Sequence, residues 1–293
     1  MTTDIHHQSA RDNLEYAYRK PRNWLGTVLT VFAFVMLGIA LLPLLLVIAY
    51  VLIRGGDRLD LQLFTQLQPP PLVAGGGIGN AIVGTLIVVG IASLMSIPTG
   101  ILGGIYLSEF SSQQVGLWIR FAANVLSGVP SIILGIFAYG VLVLTLGSFS
   151  AIAGGFALAI LMLPTIVRTT DEALQLVPQE IRWASVSVGA SNFHTVLQIV
   201  VLAALPAILT GTTLGVARAT GETAPLIFTA LYSQFWPEGL LSPVASLSVL
   251  IYNFAAVPYE NQQQLAWAAS LILVALVLIT SILSRWTTRQ RKY

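Results

Sequence analysis

"RATGETAPLI", residues 218–227, places an arginine and a glutamate four positions apart inside a long apolar run. Whether that run is a soluble core or a membrane span decides the fold, and composition answers the question. Charged residues make up 9% of the 293 and apolar residues 56%, against about 25% charged in an average soluble domain. So few charges cannot clothe a soluble surface, and the chain reads as an all-α integral membrane protein. The apolar runs are continuous rather than alternating, which disfavours a β-barrel. With no cysteine there is no disulfide, thiolate metal site or cysteine catalysis. The three histidines, His6, His7 and His194, are too scattered for a metal site. Nothing implies a nucleic-acid partner.

A spanning helix needs about 20 mostly apolar residues. Six segments qualify: 24–53, 79–107, 122–146, 151–168, 196–232 and 264–284. The third is ambiguous at its start, because 118–124 can form a short interfacial helix leading into it. The first follows a basic N-terminus and is much longer than a signal h-region, so it reads as a retained span.

Lys and Arg set the orientation. One side receives Arg11, Arg19, Lys20 and Arg22 before the first span, then Arg120, Arg168 and Arg182 in loops, then Arg285, Arg289, Arg291 and Lys292 in the tail. That is 11 of the 14. The other side has only Arg54 and Arg58, and Arg218 lies within span five. The bias predicts both termini in the cytoplasm. The expected organisation is a cytoplasmic segment 1–23, a first helix 24–53, an extracytoplasmic loop 54–77, a core 78–284 with a cytoplasmic loop 169–195, and a basic tail 285–293. "GGGIGN" (75–80) lacks the Lys-Ser/Thr of a phosphate-binding loop and reads as a flexible cap on span two. There is no Walker motif, no HExxH and no nucleophile elbow, so any ATP is hydrolysed by another chain.

"RTTDEALQLVPQEIRWASVSVGASNFHT" (168–195) is too long for a turn. Pro178 suits a first helical position, Gln179 and Glu180 open the helix, and Ile181, Ala184, Ser185 and Val188 follow at helical spacing. Gly189 supplies the stop. The spacing predicts a helix over about 178–188, lying along the membrane surface.

Within it, "WASVSVGASNFHTVLQIVV" resembles the EAA loop of type I ABC importer permeases, whose MetI-like core has this arrangement of spans. Ala184, Gly189 and Ile199 match that pattern. Trp183 stands where the family usually has Glu, Ser185 replaces the second Ala, and Val201 and Leu202 replace Leu and Pro. "GVPSIILGIFAYG" (128–140), "LPTIVRTTDEALQLVP" (163–178) and "ALPAILTGTTLGVARATGETAPLIFTA" (204–230) resemble the permeases of Pst-type phosphate importers. The resemblance implies a bacterial inner-membrane permease for phosphate. It implies a second related permease (PstC-like), two copies of an ATP-binding subunit (PstB-like) that carry ATP–Mg, and an extracytoplasmic phosphate-binding receptor (PstS-like). No cofactor is expected on this chain. It further implies that Ile181, Arg182, Trp183, Ala184 and Gly189 meet the ATPase, and that Arg218 and Glu222 are critical for translocation.

Physical reasoning meets that implication at Arg218. A charge at the bilayer centre costs at least about 2.5–3.5 kcal/mol, so it faces protein or a wet cavity. Arg218 and Glu222, at i and i+4, are expected on one helix face, with the Thr220 and Thr223 hydroxyls nearby. Gly211 and Gly215 form a strip where another helix can approach. The guanidinium offers an oxyanion a planar, permanently charged fork. Glu222 is expected to hold that fork when the path is empty. The plainer reading is an ion pair that only pins helix packing. Arg168, at the inner end of span four, is either a snorkelling arginine or an exit contact for phosphate. Sulfate or molybdate as substrate, and an ion-coupled carrier or channel acting alone, remain the rival functions.

Overall fold

A computed structural model describes residues 24–289. The expected cytoplasmic segment 1–23 and the end of the basic tail lie outside the described residues. Among those described, every regular element is a helix. The chain divides into two units, residues 1–52 and 53–293. The first contains most of α1 (Trp24–Gly56), which is long and apolar enough to cross a membrane. From Trp24 to Tyr50 nearly all of its residues are exposed.

The second unit begins with a short helix, α2 (Leu61–Thr65), capped by the Asp60 carboxylate, inside what reads as a plain loop. The span α3 (Gly79–Phe110) follows, ending in a π-helical turn over Tyr106–Phe110. Next come α4 (Gln113–Gly128) and α5 (Ser131–Leu146), bent by 101° at the break between them. The expected continuous span 122–146 is therefore corrected to a broken pair. Val129 is extended, as the residue before a proline prefers to be, and Pro130 is the N-cap residue of α5.

Helix α6 (Ala151–Gln175) runs two turns past the expected end at Arg168, so the first residues of the 169–195 loop belong to it. Helix α7 (Gln179–Ser187) matches the expected loop helix, with Pro178 as the residue just before it. Gly189 terminates it at φ +93°, a left-handed conformation that glycine adopts without strain. Helix α8 (Asn192–Thr220) contains a π-turn over Val196–Val200 and stops twelve residues short of the expected end at 232. Gly221 caps it, and a single turn, α9 (Ala224–Ile227), follows with Pro225 near its start. The chain then stays irregular until α10 (Leu247–Ala255), and α11 (Glu260–Arg289) completes the fold.

Helices α3 and α6 run parallel and in register. Ser96 Oγ meets Met162 Sδ at 3.7 Å, a Cβ on Gly100 would strike Ile166, and one on Gly104 would strike Thr170. Along α3 the buried face reads Val88, Ala92, Ser96, Gly100, Gly104 at every fourth position. In lipid there is little hydrophobic gain in pairing helices, and close backbone approach over small residues supplies dispersion contacts instead. Helix α8 runs antiparallel to α6, with Gly211 against Thr169 and Gly215 against Ile166. The strip expected from Gly211 and Gly215 is thus filled by a helix of the same chain. The core forms three stacked clusters. One lies at the Gly79 end (Ile78, Leu247, Leu265), one midway (Val88, Leu158, Met162, Ala219) and one at the opposite end (Ile105, Leu174, Val200). Arg120, Arg168 and Arg182 all lie toward this last end, called here the basic end.

Candidate functional site

Helix α8 stops in the middle of the fold, and that break builds the site. Its last turn carries Ala219, which packs in the same cluster as Leu158 and Met162 of α6. Met162 lies about 17 Å along α6 from Ala151 at 1.5 Å per residue. Arg218 therefore sits about halfway through a hydrocarbon layer of roughly 30 Å. A helix ending there places its negative pole at that depth, and an arginine in the last turn offsets it.

The irregular segment beyond Thr220 is tolerable at this depth only if its backbone is satisfied from within the protein. The Glu222 N–H donates to the Ala219 carbonyl at 3.2 Å, and the Ser248 hydroxyl donates to the Glu222 carbonyl at 2.9 Å. The amides of Ser150, Ala151 and Ile152 donate to the carbonyls of Thr229, Ser242 and Leu240. The amide of Leu247 donates to Thr85 Oγ1 at 2.8 Å. A Cβ on Gly84 would lie 1.9 Å from the Ala245 carbonyl oxygen, so only glycine lets that backbone reach α3.

Arg218 Nε and Glu222 Oε1 are 3.7 Å apart, an ion pair too long to be a hydrogen bond. Because the helix has ended, Glu222 is placed by Ser248 and Ala219 rather than by helical spacing, which corrects the expectation of one continuous helix face. The Arg218 side chain is 54% exposed and that of Glu222 18%. The guanidinium fork is thus largely uncovered by its own chain. Thr220 does not join it: the side chain is buried, and its hydroxyl donates to the Val216 carbonyl at 2.7 Å. Thr223 is half-buried beside Glu222, its carbonyl accepting from the amides of Leu226 and Ile227.

Arg168 is not brought to Arg218. It lies on α6 next to Thr169, which packs on Gly211, about 10 Å along α8 from Arg218. It pairs at 2.7 Å with Glu172 on the same exposed face. Both border a cavity of about 250 Å³ at the basic end, lined also by Arg120, Asn124, Asp171 and Gln175. There Arg120 donates twice to Asp171, at 2.8 and 2.9 Å, and Gln175 donates to the same carboxylate at 2.8 Å. Asp171 was no candidate on sequence grounds, since its partner lies 51 positions away.

On α7, Ile181, Trp183, Ala184 and Gly189 are exposed, with Trp183 66% accessible. Arg182 points the other way. It forms an ion pair with Glu109 at the end of α3 and donates from Nη2 to the Leu174 carbonyl at 2.9 Å. Its place among the residues facing outward is corrected accordingly. Glu109 had no distinguishing signal in the sequence.

Residues 96–293 match the family described as binding-protein-dependent transport system inner membrane component. The phosphate transport system permease protein PstA of Yersinia pestis is 38% identical over 94% of this chain and 93% of its own length. Among solved structures, an inward-facing MetNI methionine ABC transporter chain covers 74% of this chain and 95% of its own, with TM-score 0.56 and 18% identity. A chain of a bacterial alginate ABC transporter, bound to its alginate-loaded periplasmic protein, covers 92% and 98% with TM-score 0.64 and 13% identity. The fold is therefore that of a MetI-like ABC importer permease. The chain belongs to the binding-protein-dependent transport inner membrane components and, within them, to the phosphate transport system permease proteins.

Proposed function

We propose that this chain is a transmembrane permease subunit of an ATP-driven phosphate importer and forms half of the path for inorganic phosphate. The observation that carries the reading is Arg218, a permanently charged fork at mid-membrane whose counter-ion is close but not hydrogen-bonded. A tetrahedral oxyanion can recruit the guanidinium without breaking a hydrogen bond within the chain. Glu222 then neutralises the fork when the anion leaves. Binding of this kind is weak and reversible, as conduction requires.

The chain performs no catalysis and binds no cofactor; ATP–Mg belongs to the ATPase. Its partners are a second related permease, two ATP-binding subunits and an extracytoplasmic phosphate-binding protein. The exposed face of α7, centred on Trp183, is the ATPase-facing surface. The protein lies in the bacterial inner membrane with both termini cytoplasmic, a reading supported by the one-sided distribution of Lys and Arg. Arg168 and the cavity beside it serve as the inner exit.

The test is phosphate uptake in a strain lacking other phosphate systems, with the chain co-expressed with its partners. Uptake is expected to require the ATPase and to resist excess sulfate and molybdate. Equal import of those oxyanions moves the substrate assignment, and uptake without the ATPase returns the protein to the ion-coupled carriers.

A further inference from the structure

Helix α7 is joined through the backbone to α6 on one side and α8 on the other, but not to α3. Force from α7 can reach α3 only through side chains. Two such links stand out. One is indirect: Phe193, just past α7 at the start of α8, and Phe110 approach with ring centroids 6.5 Å apart and tilted by 47°, a loose contact that tolerates sliding. The other is the Arg182–Glu109 ion pair, whose side chains are 16% and 8% exposed. Charges so far from solvent cannot separate without leaving one uncompensated, so this link does not slide. Arg182 also donates to the Leu174 carbonyl, which fixes it to the last turns of α6.

The backbone geometry agrees. The last turn of α3, Tyr106–Phe110, is π-helical and carries Glu109, and a second π-turn, Val196–Val200, lies where α8 leaves the α7 segment. Such turns interrupt the regular hydrogen-bond ladder and are frequent at functional sites. Within the segment, Ser185 Oγ and Thr195 Oγ1 are 2.8 Å apart, which holds α7 to the start of α8. At its far end α3 supports Ala245 and Leu247 through Gly84 and Thr85, and Ser248 holds Glu222.

We propose that the Arg182–Glu109 pair is the strut that makes α7 and α3 one mechanical unit, so that movement imposed on α7 is carried to the segment that positions Glu222. Arg182 and Glu109 are positioning residues; neither touches phosphate. The proposal rests on the reading that α7 docks on the ATPase.

The test is phosphate imported per ATP hydrolysed by the assembled transporter in liposomes, for Arg182→Glu, Glu109→Arg and the double reversal. Each single reversal is expected to lower the ratio about tenfold while hydrolysis continues, and the double to recover it at least about threefold. A purely structural role lowers assembly, hydrolysis and import together and leaves the ratio unchanged, which overturns the strut. A double reversal no better than the singles overturns it as well. If the single reversals do not assemble, Arg182→Lys keeps the charge on Glu109 but loses the fork. It is expected to cut the ratio about threefold, and an unchanged ratio overturns the proposal. Absence of ATP-driven import by the unaltered protein counts instead against the functional reading.

Discussion

Arg120 and Arg218 each face a carboxylate, and the molecule holds them in opposite ways. Arg120 reaches across from α4 to grip Asp171 of α6 with two hydrogen bonds, and Gln175 completes the carboxylate's shell. Arg218 meets Glu222 at 3.7 Å, with neither clamped to the other. The first pair joins elements 51 residues apart and has little freedom. The second is local, lies where a helix has ended, and leaves its fork uncovered. An arginine hydrogen-bonded twice to a carboxylate of its own chain is a rivet, whereas one whose counter-ion stays beyond hydrogen-bond reach at mid-membrane is available to a substrate.

The sharpest way to break this contrast is Arg218→Gln. Uptake is expected to fall at least about 100-fold, with normal insertion and assembly, because the path loses its cation on this chain. Uptake at the unaltered rate removes Arg218 from the path. Asp171→Asn comes next, and its effect falls on a different quantity. It weakens a partly exposed clamp, so a loss of about 1–2 kcal/mol is expected, seen as reduced abundance and thermal stability. Uptake per molecule stays within about twofold. A per-molecule loss like that of Arg218→Gln makes the Arg120–Asp171 clamp itself part of the path. In free-energy terms the smallest effect, about 0.7–1.4 kcal/mol, is expected for Glu222→Gln, seen as about three- to tenfold lower uptake with normal abundance, since the anion keeps its ligand. Collapse of abundance makes the pair structural and erases the contrast.

The same two pairs measure what the sequence alone discloses. Arg218 and Glu222 were visible because they are local and because charges are rare in apolar runs. Asp171 and Glu109 were not, since their partners lie in distant elements and nothing in their neighbourhoods marks them out. Arg182 sat beside Trp183 on a plausible docking helix, yet helical phase turns it toward α3. The spans were legible from hydropathy. Their breaks were not, because Pro130 and Pro225 sit in runs whose apolar character is the same whether a helix kinks, ends or continues. Only the neighbours decide: α8 ends at Thr220 because α3, α6 and α10 supply partners for the freed backbone.

That supply has a consequence for biogenesis. The opening amides of α6, at 150–152, are satisfied by carbonyls at 229, 240 and 242, and α10 seats on Gly84 and Thr85 of a helix made much earlier. A ribosome delivering this chain therefore releases α3 and α6 before the residues that close over their N-terminal ends exist. The nascent permease stays open on that side until nearly its last span has emerged. A chain truncated before residue 242 contains most of its apolar length and still lacks the seal.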